Sequence, residues 1–216
     1  NTNKHPLLSV ALGFHAEYTT NEGLLKELSA LAHELRSPVF MHISETEEEV
    51  AGCVERHGVT PAVYFDSLSL FDFGGGGFHC THFSDADMEV FLRHGLYAVS
   101  CPASNLKLAS GIAPLAEFAR RGIPVALGTD GAASNNALDM FREMYLAATL
   151  QKVREKDAAA LDAADRACEA RPQGFALVVK SQLFMFLHAL YCNRHTGPVR
   201  PLVEEAEWLK GVIAYV

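Results

Sequence analysis

The chain has 216 residues, 49% hydrophobic and 20% charged, which fits a globular domain long enough to bury a core. Its net charge of −8 and the lack of any Lys/Arg block exclude a nucleic-acid surface, which needs a basic face. The most apolar late stretch, 175–192, is interrupted by Lys180, Gln182 and His188 and makes a poor membrane span.

In chain order, Leu7 to Leu12 reads as a strand, and Asn21 to Arg36 as an amphipathic helix with leucines at helical spacing. Pro38 to His42 is the next strand. Glu45 to His57 is a helix entered through Ser44-Glu45-Thr46-Glu47, where acids and a hydroxyl cap suit a helix N-terminus. Ala62 to Leu68 is a further short helix. The Gly74 to Gly77 run lacks the Lys and Ser/Thr of a phosphate loop and reads as a flexible lead into a short strand, Phe78 to Cys80. Asp85 to His94 is a helix capped by Ser84 and stopped by Gly95. Leu96 to Cys101 is a strand, Ala113 to Arg121 a helix, Ile123 to Gly128 a strand and Ala137 to Lys152 a long helix. On that last helix Met140, Phe141, Met144 and Leu150 are expected to face the core.

A strand–helix unit repeated five times implies parallel strands joined by right-handed crossovers. Polar residues gather at the strand C-termini, so the fold class is α/β, a TIM-type barrel. Five units cannot close a barrel, which takes eight and roughly 250 residues, so the barrel is incomplete. The expected organisation is a partial barrel over 1–152 and a divergent helical or irregular tail over 153–216, with Asp157 to Ala170 Ala-rich and helical. The five cysteines, Cys53, Cys80, Cys101, Cys168 and Cys192, are odd in number and form no CxxC pair. A reduced, cytoplasmic protein is expected, with no signal peptide. The start at Asn1 rather than Met suggests a fragment or trimmed product.

The chemistry concentrates at strand ends. Asp130 follows the apolar run 123–127 and precedes Gly131-Ala132-Ala133-Ser134-Asn135-Asn136; His42 and His79 arrive the same way on earlier strands. Imidazoles and a carboxylate converging on one barrel mouth suit Zn²⁺ or another divalent metal, which would activate a bound water. Glu45, three residues after His42, is placed to shuttle a proton. Blander roles exist for each: a lone strand-end His is usually structural, and Asp130 alone could cap a helix. His82, Ser134, Asn135 and Asn136 read as loop and capping groups, and Cys80 and Cys101 as small buried residues.

These motifs together resemble the amidohydrolase superfamily, in the branch of methylthioadenosine/S-adenosylhomocysteine deaminases and triazine chlorohydrolases. The resemblance rests on His42-Ile43-Ser44-Glu45, His79-Cys80-Thr81-His82, Ser104 to Pro114, Gly128 to Asn136, Leu138 to Met144, Leu150-Gln151-Lys152 and His15-Ala16-Glu17-Tyr18-Thr19. It covers roughly 7–152 and implies that the strands are barrel strands four to eight. It implies metal ligands at His42 and Asp130, with His79 contacting the metal or its hydroxide, one divalent metal (zinc, with iron as the alternative), and a small heterocyclic substrate. Asp130 would also accept a proton from the activated water, Glu45 would protonate the substrate ring, and His15, Glu45 and Asn105 would touch the substrate. The implied reaction is hydrolytic deamination of an adenine-type nucleoside. The family's strand-one His-x-His pair has no counterpart here; only His5 precedes the matched region.

Two other readings stand beside this one. An inactive fragment or remnant is favoured by the missing ligand pair, since catalytic zinc usually has three protein ligands and a water. A triazine or other heterocycle amino- or chlorohydrolase keeps the enzyme class and changes the leaving group. No nucleic-acid or membrane partner is expected. Open sheet edges predict a homo-oligomer or an aggregation-prone chain, unless apolar stretches 175–179 and 183–187 cover one edge.

Overall fold

A computed structural model describes residues 10–160. Five parallel strands form one sheet in chain order: β1 (Leu12–Gly13), β2 (Val39–Ile43), β3 (Gly75–His79), β4 (Tyr97–Ser100) and β5 (Val125–Leu127). Seven helices connect and follow them: α1 (Glu22–Leu35), α2 (Glu47–His57), α3 (Pro61–Ser67), α4 (Asp85–His94), α5 (Pro102–Lys107), α6 (Leu115–Arg121) and α7 (Met140–Glu155). Parallel strands in unbroken sequential order require every crossover to return on the same side, which is the winding of a barrel and not of an open doubly wound sheet. The expected TIM-type arc is therefore present. The part of the first expected strand before residue 10 and the tail from 161 onward lie outside the described residues. Among the described residues no helix is long and apolar enough to cross a membrane.

The two faces of the sheet differ. Val39, Met41 and Ile43 alternate along β2 onto the helix side, where they join Leu25, Phe65, Phe71, Phe91 and Phe118 in the core. Phe40 and His42 point the other way, beside Phe78, and are half-buried; Phe40 and Phe78 stack with ring centroids 6.1 Å apart. α1 turns Leu25, Ser29 and Ala32 inward and leaves Leu24, Leu31 and Leu35 exposed.

Helix ends follow their local chemistry. Asn21, Thr46, Ser84 and Asp139 each accept a backbone N–H at an N-terminus, and Gly58, Gly95 and Gly122 stop α2, α4 and α6 in the left-handed conformation. α2 begins at Glu47 behind its Thr46 cap, two residues later than the sequence suggests.

Three expectations need correction. The Gly74–Gly77 run is not a flexible lead: Gly75, Gly76 and Gly77 are strand residues, buried and paired to Val39, Phe40 and Met41. A Cβ on Gly76 would sit 2.4 Å from the Tyr97 carbonyl oxygen, and one on Gly77 would sit 2.2 Å from Ile43 Cγ2, so close packing selects glycine there. α5 was not expected; Pro102 at its first position starts it immediately after β4. Met140, Phe141 and Met144 are exposed, and Leu150 is only half-buried. α7 instead buries Glu143, Ala147 and Gln151, because the neighbouring loops present backbone groups and a carboxamide that only a polar stripe can satisfy.

Candidate active site

The C-terminal ends of β2, β3 and β5 carry the residues singled out from the sequence. His42 lies on the half-buried face of β2, and its Nδ1 is 2.8 Å from the His15 carbonyl oxygen. The backbone N–H of His42 donates to the same oxygen at 2.8 Å. The His15 ring stands 4.9 Å from the His42 ring and edge-on to Tyr18, with its Nδ1 3.0 Å from Thr19 Oγ1.

His79 reaches this group by a break in the pleat. Its register partner is Ile43, so a continued strand would send the ring into the helix-side core. A φ of 72° turns the backbone, and the buried His79 ring stacks at 5.5 Å on His42. Its Nδ1 is 2.8 Å from Asn105 Oδ1 and its Nε2 is 3.5 Å from Glu45 Oε2. The Asn105 amide oxygen can only accept, so Nδ1 donates to it and Nε2 is the nitrogen that faces Glu45.

Glu45 is fixed from two directions. Ser110 Oγ donates to its Oε1 at 2.9 Å. Beneath it, the buried Glu49 carboxylate accepts the backbone N–H groups of Ser44 (2.9 Å) and Glu45 (2.7 Å). In an ordinary capping box this third residue of the helix reaches back to the cap residue's own N–H. Here it also reaches the amides of the two residues before Thr46, and Ser44 takes a φ of 50°. Burial pushes the Glu49 carboxyl up, and its bonds to the three amides of Glu45, Ser44 and Thr46 only partly oppose that.

Asp130 sits three residues past β5 with a φ of 59°. Ser104 Oγ and Ser134 Oγ each donate to its Oδ2 at 2.7 Å, and the Gly131 N–H donates to Oδ1 at 2.6 Å. Burial alone would raise its carboxyl, but these donors and the nearby His79 outweigh it and hold it below the ordinary range. It does not cap a helix; Asp139 does that for α7.

His82 is a loop group: its Nε2 lies 2.6 Å from the Ser110 carbonyl oxygen. Cys80 and Cys101 are buried free thiols, and burial pushes Cys101 up to about 12, so neither is a nucleophile at neutral pH. Ser104, Ser110, Glu49 and Glu143, to which the sequence alone assigns no role, hold the site from behind. Ser104, Ser110 and Glu143 lie within the motifs that carry the resemblance, and Glu49 has a local signal as the fourth residue of Thr46-Glu47-Glu48-Glu49.

The structure thus brings His15, His42, His79, Glu45 and Asn105 into one chain of contacts, and Asp130 joins through Ser104, the neighbour of Asn105. The imidazoles and the carboxylate are donor types that zinc takes. Among the described residues, however, no three His, Cys, Asp or Glu side chains stand close enough to hold a metal ion.

A parallel β/α arc with imidazoles and carboxylates along its C-terminal rim defines an incomplete TIM-type barrel with its polar residues at the strand ends. The chain belongs to the amidohydrolase family, whose model matches residues 2–169. It is 45% identical over 158 residues to the 5'-deoxyadenosine deaminase of Methanothermobacter thermautotrophicus, covering 73% of this chain and 37% of that protein. It is 43% identical over 156 residues to the 5-methylthioadenosine/S-adenosylhomocysteine deaminase of Thermoanaerobacter pseudethanolicus, covering 72% and 36%. The solved structure of an adenosine deaminase from Xanthomonas campestris with bound zinc matches with a TM-score of 0.70 at 42% identity, over 74% of this chain and 37% of that one. The chain spans little more than a third of the length of these relatives.

Proposed function

We propose that this chain carries the strand-end part of a site for hydrolytic deamination of an adenine-type nucleoside, such as 5'-deoxyadenosine, methylthioadenosine or S-adenosylhomocysteine. The observation that carries this reading is Glu45, set by Ser110 and by the Glu49 clamp with its second carboxylate oxygen 3.5 Å from His79 Nε2. A carboxylate facing an imidazole nitrogen can pass a proton to or from it, which is what a proton relay beside a metal needs.

His42 and Asp130 would hold one divalent metal, zinc by donor chemistry, with His79 at its edge. The metal, when bound, brings a water to the pKa range where it attacks at neutral pH. Asp130, kept ionised by its donors, would be the carboxylate that takes the proton from that water. Glu45 delivers a proton to the ring nitrogen, so that the amino group can leave as ammonia. His15 and Tyr18 form a polar–aromatic wall beside that space, suited to a purine face. The buried free thiols suit a reducing compartment, and we place the protein in the cytoplasm.

The incomplete ligand set favours a second reading, in which the chain keeps the motifs without the activity. Metal content of the purified chain, measured with ammonia release from the three nucleosides, separates the two. About one equivalent of zinc, with release that His42→Ala and Asp130→Ala abolish, is expected for the deaminase. A folded sample with neither metal nor ammonia establishes the second reading.

A further inference from the structure

Behind the site stands a carboxylate that lies outside the reacting groups. Glu143 on α7 is fully buried. Its Oε2 accepts the backbone N–H of Ala103 at 2.9 Å, and its Oε1 accepts Asn135 Nδ2 at 2.6 Å. The same Asn135 nitrogen donates to the Thr129 carbonyl oxygen at 2.8 Å. Ala103 precedes Ser104 and Asn105; Thr129 precedes Asp130. Ser104 then closes the loop by donating to Asp130. The result is a closed circuit from Glu143 through α5 to Asp130 and back through Asn135.

We propose that Glu143 is the positioning residue that fixes Asp130 relative to Asn105. This rests on the reading of those two as site residues. A buried carboxylate held by a backbone amide and a carboxamide, with no cation bonded to it among the described residues, is a costly choice for mere packing. It suits a place where two donors from different segments must meet two acceptors on one rigid group, because a glutamine there would turn an NH₂ against one of them. α5 makes the need plain: Cys101, at its N-cap, gives no side-chain bond, so Glu143 supplies the acceptor from another helix. Attachment of α7 to the barrel does not depend on Glu143 alone. Two turns on, Gln151 accepts the Ala116 N–H at 3.1 Å and donates to the Ala113 carbonyl at 2.9 Å.

The test compares E143Q, N135A and Q151A in the full 216-residue chain. The readouts are the ¹⁵N–¹H resonance of Gly131, whose N–H reports directly on the Asp130 carboxylate, and the zinc affinity. Positioning predicts that E143Q and N135A both move the Gly131 resonance upfield and weaken zinc binding by roughly 10–100-fold, the usual effect of removing a ligand's supporting partner. Q151A should lower the melting temperature and leave Gly131 in place. If E143Q lowers the melting temperature while Gly131 and zinc affinity stay as in the parent, Glu143 only anchors α7 and the proposal fails. N135A keeps the question decidable should E143Q not fold. A parent chain that binds no zinc and releases no ammonia would overturn the deaminase reading, while the Gly131 resonance would still decide the role of Glu143.

Discussion

Glu49 offers the sharpest test of how the site is held. Replacing it with alanine strands two backbone donors, Ser44 N–H, which is buried, and Glu45 N–H, which is partly so. A buried donor without an acceptor costs about 1–3 kcal/mol, and the half-buried one less. Against this, the substitution removes a carboxylate that burial has already destabilised, as its raised pKa records. The net loss for Glu49→Ala should therefore be about 2–3 kcal/mol, and Glu49→Gln, which keeps one acceptor, should lose roughly half of that. Urea unfolding at neutral pH, read as the shift in midpoint at constant slope, measures both. The order Ala worse than Gln worse than parent is required. A Gln variant as stable as the parent would show that the two amides do not need a double acceptor, and the clamp would then not explain the left-handed Ser44. The sign of the pH effect also follows. Because the folded carboxyl is raised, the stability Glu49 adds when protonated is fully present below its unfolded value near 4.5 and is lost as pH rises through the raised folded value.

Two more outcomes are expected. Gly76→Ala brings a Cβ to 2.4 Å from the Tyr97 carbonyl oxygen, a backbone atom that can move only by spreading β3 from β4, so a loss of about 3 kcal/mol or more in urea unfolding is expected. Glu17 behaves opposite to Glu49: burial pushes its carboxyl up, but bonds from Arg56 and His57 outweigh that and hold it below 4.5. Its contribution is thus present above that pH and lost as pH falls through the folded value; acid titration of stability should be shallower in Glu17→Gln than in the parent.

The barrel arc was legible because β-branched and apolar runs alternate with capped helices, and capping chemistry is local. Gly74 to Gly77 misled because glycine usually means freedom. Here it means crowding, and the Tyr97 oxygen and Ile43 methyl that cause it come from other strands. α7 misled for a related reason. Met140, Phe141 and Met144 are apolar at helical spacing, but the surface that α7 meets is made of unsatisfied amides and carbonyls, so Glu143 and Gln151 win the inner face. His42, His79 and Asp130 were legible as strand-end residues. Their supports were not, because Ser104, Ser110 and Glu143 lie 26, 65 and 40 residues from the groups they hold.

The supports are needed because the chain leaves the pleat at this rim. Ser44, His79 and Asp130 end three strands at φ 50°, 72° and 59°, a region that non-glycine residues enter at a cost of about 1–3 kcal/mol each. Relaxing His79 to an extended φ would return its ring to the helix side with Ile43 and dissolve the stack on His42. Each of the three is offset by hydrogen bonds that the extended form could not make: Glu49 on the Ser44 amide, Asn105 on the His79 ring, and Ser104, Ser134 and Gly131 on Asp130. A carboxylate, a carboxamide or a pair of hydroxyls therefore stands behind each of these three turns of the chain. The strain marks where side chains must leave the pleat to face one another, and the buried polar groups mark what keeps them there.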